Sequence, residues 1–309
     1  MKIDLSTDLC QIKFSNPLIL ASGILGVTAA SMINVVKNGA GGVITKSVSL
    51  EPRAGHKAPI ILPLKDKLFI NAVGLSNAGI DQFANEVAKF KKESSAPLII
   101  SIFASEISEF AQVARRASAL NPDLIEVNVS CPNVEDEFGL PFGANEISAA
   151  QATKEVKKNV SQPIIVKLTP NVPNITKIAL AVERAGADAI AAINTLGPGM
   201  IIDLETQKPV LANKIGGLSG SLIKPIAVRC VYQIFQKVKI PIIGVGGVSD
   251  GQDVIEMMMA GARAVEIGSA VYNDGPGVFN KINQEITGWL KEHHYQNIKE
   301  IIGLAHQYD

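Results

Sequence analysis

The 309-residue chain carries 29 basic and 29 acidic side chains, with 47% hydrophobic and 19% charged residues. That composition supports a large buried core, and the even charge balance removes any electrostatic reason for nucleic acid or an anionic membrane as the main partner. Cys10, Cys131 and Cys230 are too few and too scattered for a disulfide framework or a zinc site, so no metal is expected and a reducing compartment fits. The opening stretch, MKIDLSTDLCQIKF, has no apolar run and no small-residue cleavage site. No later apolar run reaches the roughly 18 residues that a membrane span needs, and a cytoplasmic protein is expected.

In chain order, short apolar runs alternate with amphipathic stretches. The run at 18–21 is followed by helical spacing at 29–38, 42–46 by 80–92, 98–103 by 107–120 and 124–129 by 146–160. The pattern continues with 164–168 and 174–185, 189–194 and 223–238, 240–245 and 252–260, then 264–267 and a closing helix at 276–294. The runs are nearly continuous in Val, Ile, Leu and Ala, as strands buried on both faces must be. Regular alternation implies a parallel sheet. Eight strands in this length predict an α/β fold closed into a (β/α)8 barrel, one domain spanning 1–309, in preference to an open doubly wound sheet.

In such a barrel the chemistry gathers where strands end. The residues just after the apolar runs are polar: Ser22-Gly23, Lys46-Ser47, 128–133, Lys167, Asn194-Thr195, Gly246-Gly247 and Gly268-Ser269. Glycines at 244–247 and 268, with GGLSG at 216–220, either make tight turns or let backbone N–H groups approach a phosphate; two such loops on adjacent strands favour the phosphate. Lys46 and Lys167 are either solvated or, with stems walled by core, placed to stabilise negative charge on a ligand. Cys131, in IEVNVSCPN, is either a small buried hydrophobe or a partly exposed thiol whose thiolate a nearby lysine favours. The glycine-containing segment after it, NVEDEFGLPFGAN, has the character of a lid loop.

The ordered motifs NPLILASG (16–23), ITKS (44–47), INAVGLSN (70–77), NVSCPN (128–133), VKLTPN (166–171), AINTLG (192–197), LANKIGGLSG (211–220), IIGVGG (242–247) and VEIGSA (265–270) carry a resemblance over essentially the whole chain. It resembles the dihydroorotate dehydrogenases of the cytosolic, cysteine-containing class, most of all the catalytic subunit of the NAD-linked subclass. The resemblance implies FMN-dependent oxidation of (S)-dihydroorotate to orotate in pyrimidine biosynthesis, with Cys131 as catalytic base and a hydride passing to flavin N5. It implies that Lys46, Asn71, Ala72, Val73, Gly74, Leu75, Asn128, Asn133, Asn194 and Thr195 bind the substrate. It assigns the flavin to Ser22, Lys46, Ser47, Ser101, Asn128, Lys167, Ile193, Gly220, Gly246, Gly247, Gly268 and Ser269. Ser101 departs from the family's usual Asn, and its single hydroxyl has a shorter reach.

The same resemblance implies, if NAD is the final acceptor, a partner subunit carrying FAD and an iron–sulfur cluster, in a homodimer core or a heterotetramer; fumarate and quinone stay open as alternative acceptors. Two rival readings stand beside this one: another FMN barrel acting on a pyrimidine, like the dihydropyrimidine dehydrogenases, and a phosphate-binding barrel without redox chemistry.

Overall fold

The computed structural model describes residues 3–130 and 141–307, without the side chain of Asp66. Eight parallel strands close into a barrel in chain order: β1 (Leu18–Leu20), β2 (Gly42–Ile44), β3 (Leu98–Ile102), β4 (Leu124–Asn128), β5 (Ile164–Leu168), β6 (Ala189–Ala192), β7 (Ile242–Val245) and β8 (Ala262–Ile267). Strand β8 returns to β1 through the pairs Val265–Leu18, Glu266–Ile19 and Ile267–Leu20. All eight expected strands form, and the closed barrel rather than an open sheet is what the alternation produces.

Proline marks the entry to every odd strand. Pro17, Pro97, Pro163 and Pro241 have no N–H, yet each carbonyl accepts from the neighbouring strand, at Val265, Val43, Ile125 and Ile190. A residue that accepts but cannot donate suits the first position of a strand and nothing deeper in it.

Outside the barrel run α1 (Ala29–Lys37), α2 (Ile80–Glu93), α3 (Ile107–Ala119), α4 (Glu146–Lys157), α5 (Ile175–Arg184), α6 (Lys224–Phe235), α7 (Gly251–Met259) and α8 (Val278–Glu292). Four have side-chain N-caps: Thr28, Asn145, Asn174 and Asp250 each accept from a backbone N–H in the first turn. Their apolar stripes pack on the barrel's outer face, where Phe90, Phe110, Ile178, Val231 and Phe279 are buried.

Inside, alternation sorts the strand residues into layers. Ile19, Ile44, Ile99, Leu124, Ile165, Ile243 and Ala264 form an aliphatic layer. An antiparallel hairpin, Thr7–Leu9 with Ile12–Phe14, presses Leu9 and Phe14 against that layer. Two residues further along β3, β4, β5 and β8 stand Ser101, Glu126, Lys167 and Glu266, all buried. The barrel is therefore greasy below and ionic above.

A second sheet, absent from the apolar-run pattern, rises beside the strand ends. Its antiparallel order is Ile61–Pro63, Leu68–Asn71, Ile215–Gly220, Leu196–Met200. Two of its strands are glycine-broken and the other two are only three and four residues long, so they lack the continuous apolar signal that reveals the barrel strands. Among the described residues no helix is long and apolar enough to cross a membrane.

Candidate active site

A cavity of about 300 Å³ opens at the C-terminal ends of the strands. Ser22 follows β1, Lys46 and Ser47 follow β2, Asn128 ends β4, Lys167 lies in β5 and Ile193-Asn194-Thr195 follow β6. Gly246-Gly247 follow β7 and Gly268-Ser269 follow β8, completing the ring. The second sheet closes one side with Asn71 and Gly220, and the following loop adds Val73, Gly74 and Leu75. Residues far apart in sequence thus face one space.

Two of the expected residues stand elsewhere, and two fall outside the described residues. Ala72 is buried behind the wall, its N–H donating to the Ile60 carbonyl. Ser101 is fully buried one layer below the cavity, where its hydroxyl donates to Glu126 at 2.7 Å and meets Ser47 Oγ at 2.8 Å. Cys131 and Asn133 lie outside the described residues. The chain arrives at position 131 from Ser130, whose hydroxyl donates to Asn128 Oδ1 at 2.9 Å and accepts from Asn194 Nδ2 at 2.6 Å.

That pair of bonds orients two of the cavity's amides. Asn128 Nδ2 also donates to Ser47 Oγ at 3.1 Å, and Asn194 Oδ1 accepts from the Thr195 N–H at 2.8 Å. Asn171, from VKLTPN, fixes the next loop by donating to the Thr195 carbonyl and accepting from the Gly197 N–H. On the far side Asn71 Nδ2 donates to the Gly217 carbonyl at 3.3 Å. The 73–77 turn is held from behind: Arg53 Nε donates to the Gly74 carbonyl at 3.0 Å, and Asn77 Nδ2 to that of Leu75 at 2.9 Å.

GGLSG is a strand here, not a phosphate loop. A Cβ on Gly217 would sit 2.6 Å from Thr195 Cβ, and one on Gly216 would fall 2.6 Å from Leu211 Cδ1. Those glycines let the strand press against Thr195 on the cavity side and Leu211 behind it. Gly246 and Gly247 are different. Their φ values of 122° and 78° belong to glycine, and a Cβ on Gly247 would meet the Lys224 N–H at 2.8 Å. With Gly268 on the neighbouring strand, they leave a bare backbone wall that could hold a phosphate group.

The two lysines differ in their surroundings. The backbone of Lys46 is tied to Gly26 and Thr45, its ammonium makes no hydrogen bond or ion pair among the described residues, and burial holds its pKa below the usual lysine value. Lys167 is 5% exposed and already matched: Nζ lies 2.6 Å from Glu266 Oε2 and 3.6 Å from Glu126 Oε2. Burial works against its charge, but the two carboxylates prevail and hold its pKa above the ordinary value. Burial also pushes Glu266 up to about 7, against the pull of Lys167 and with a further push from Glu126. Neither glutamate was expected from sequence. The signal was present, as each is a carboxylate flanked by apolar residues within a strand (LIEVN and ARAVEI) on the interior-facing alternation, where an ion needs a partner.

The floor of the cavity still offers an unsatisfied acceptor, Glu266 Oε1, which has no hydrogen-bond partner in the described structure. Together with Lys167 and the glycine wall, it fits a planar, polar-edged ligand bearing a phosphate. A closed eight-stranded barrel with such a cavity at its strand ends defines a (β/α)8-barrel enzyme. The family model for dihydroorotate dehydrogenase matches residues 4–290. The chain is 49% identical over 300 residues to the dihydroorotate dehydrogenase B (NAD(+)) catalytic subunit of Methanosarcina mazei, covering 97% of this chain and 94% of that protein. Relatives of the same name from Methanothermobacter thermautotrophicus and Pyrococcus abyssi are each 44% identical, covering 98% and 97% of this chain and 98% and 99% of theirs. The chain belongs to the dihydroorotate dehydrogenase family.

Proposed function

We propose that this chain oxidises (S)-dihydroorotate to orotate with FMN as its bound cofactor. The observation that carries the reading is one cavity presenting a lysine, Lys46, whose side chain has no partner among the described residues, beside three amides, Asn71, Asn128 and Asn194. A pyrimidine acid needs that combination. The ammonium meets its carboxylate, while amides offer both donors and acceptors to its imide edge. A phosphate-only barrel has no use for the amides, and a neutral dihydropyrimidine leaves Lys46 without an anion.

Gly246, Gly247 and Gly268 would hold the FMN phosphate, and Lys167 with Glu266 would meet the polar edge of its ring. When bound, FMN supplies the acceptor for the hydride leaving C6 of the substrate. The remaining task is removal of the C5 proton, acidified by the adjacent carbonyl. Cys131 is the group we assign to it. An ordinary thiol titrates near about 8.5, so a modest favouring of the thiolate suits it to act as base at neutral pH. The hydrogen bonds of Ser130 to Asn128 and Asn194 support this assignment, because they bring the chain to the cavity one residue earlier.

The printed names of the relatives, catalytic subunits of an NAD(+)-linked enzyme, support a second subunit for this chain as well. With three cysteines in all, the chain does not supply the four thiolates of an iron–sulfur cluster. Electrons would leave through a partner carrying FAD and such a cluster, in the cytoplasm. The test is direct: the purified protein should be yellow, and anaerobic dihydroorotate should bleach it with release of orotate while dihydrouracil does not. A colourless protein that rejects FMN, or equal bleaching by both substrates, overturns the reading.

A further inference from the structure

Beneath the cavity two carboxyls compete for one lysine. Glu126 and Glu266 are 0% and 1% exposed, and Lys167 can neutralise only one of them. Glu126 Oε2 and Glu266 Oε1 are buried without a hydrogen-bond partner among the described residues. Two ionised carboxylates and one ammonium would leave a net negative charge sealed over an aliphatic layer, an arrangement burial strongly disfavours. The charged groups facing Glu266 are Lys167 on β5, Glu126 on β4 and, across the cavity, Lys46 after β2. Its flanking strands bring only Ile19 and Val245 into register with it.

A proton held by the pair resolves the conflict, and a route for it is visible. Glu126 Oε1 accepts from Ser101 Oγ at 2.7 Å, Ser101 Oγ meets Ser47 Oγ at 2.8 Å, and Ser47 lines the cavity. Each hydroxyl can accept on one side while donating on the other, so a turn of both passes a proton between cavity and carboxylate.

We propose that Glu126 and Glu266 share one exchangeable proton beside Lys167, taken up or released through Ser101 and Ser47 as the charge of the ligand above them changes. The step is a protonation only. A proton from water at the cavity mouth adds to a carboxylate oxygen, no electron moves, and the trio goes from one net negative charge to none. The rise of Glu266 towards neutrality agrees with both forms being populated at working pH. In the enzyme the pair takes up a proton as the bound cofactor gains electrons, which keeps added negative charge from accumulating over buried carboxylates. That consequence rests on the flavin reading above. The shared proton itself does not.

Two measurements test the inference. Infrared spectra of the flavin-free full chain, titrated from about pH 6 upwards, should show the carbonyl band of a protonated carboxylic acid, since ordinary carboxyls have ionised by then, at about pH 4. The band should vanish as pH rises, and Glu266→Gln or Glu126→Gln should remove it. In the flavin-loaded protein, the pH dependence of the midpoint potential should report up to one more proton per two electrons in the wild type than in E266Q. The wild-type band needs no variant, so a misfolded mutant does not shield the proposal. Absence of that band, or equal proton counts in both proteins, overturns it. A chain that shows the band yet refuses FMN overturns the functional reading and leaves the shared proton standing.

Discussion

Lys167 Nζ and Glu266 Oε2 stand 2.6 Å apart inside the barrel, with both side chains almost wholly sealed from solvent. An ion pair at that depth is held by its geometry, because neither partner can turn to water. Replacing the cation therefore strands two carboxyls. Lys167→Met should lower unfolding stability by about 3 kcal/mol in a denaturant titration, the scale seen when one partner of a buried pair is removed. A loss under half that size would mean the carboxyls relax more freely than their burial implies.

The raised pKa of Glu266 fixes the sign of a pH effect. The folded protein keeps a proton up to about pH 7, whereas the unfolded chain releases it near its ordinary value of 4.5. Between those limits the native state binds more protons, so stability should fall as pH rises and level off above the upper limit. Comparing wild type with Glu266→Gln isolates the contribution. The variant should lose this downward slope, and identical pH profiles would contradict the assignment.

Lys46 behaves in the opposite sense. Burial depresses its pKa, so an anion that pairs with it should bind best while the amine is protonated and weaken as pH climbs through that lowered value. Lys46→Met should reduce orotate affinity by roughly 10- to 100-fold, as expected for losing one charge-assisted contact, and should flatten the alkaline limb. Unchanged orotate binding would place the carboxylate elsewhere.

Gly247→Ala probes the bare backbone wall. Its φ of 78° and a Cβ position 2.9 Å from the Gly220 carbonyl make any side chain strained. The variant should fold but retain FMN roughly 5- to 150-fold more weakly, the equivalent of the roughly 1–3 kcal/mol typical of such backbone strain. Equilibrium dialysis against FMN reads this out. Wild-type affinity would move the phosphate to another loop.

The barrel was legible because its strands are mostly apolar runs that alternate with amphipathic helical spacing. The second sheet was not, since Leu68–Asn71 and Ile215–Gly220 are short and antiparallel and carry Asn, Gly and Ser for the cavity's sake. The strand-end polar residues foretold the cavity for the same reason that Lys46 did: a charge after a core strand needs something to meet it. Glu126 and Glu266 escaped notice because they sit within strands rather than after them. Only the ring closure, which brings β4, β5 and β8 around one axis, reveals that they share a lysine. Ser101 was read as a cofactor contact and is instead committed to Glu126 and Ser47, a distinction that depends on side-chain depth.

The whole account turns on a thiol taking a proton from the ring that the cavity grips. Stopped-flow bleaching of the Cys131→Ala protein measures this most directly, with orotate binding followed in parallel to show that the cavity is intact. The variant should stay yellow, bind orotate normally and be reduced by dihydroorotate roughly 100- to 10,000-fold more slowly, the range a positioned base contributes. Reduction at the wild-type rate would contradict the account.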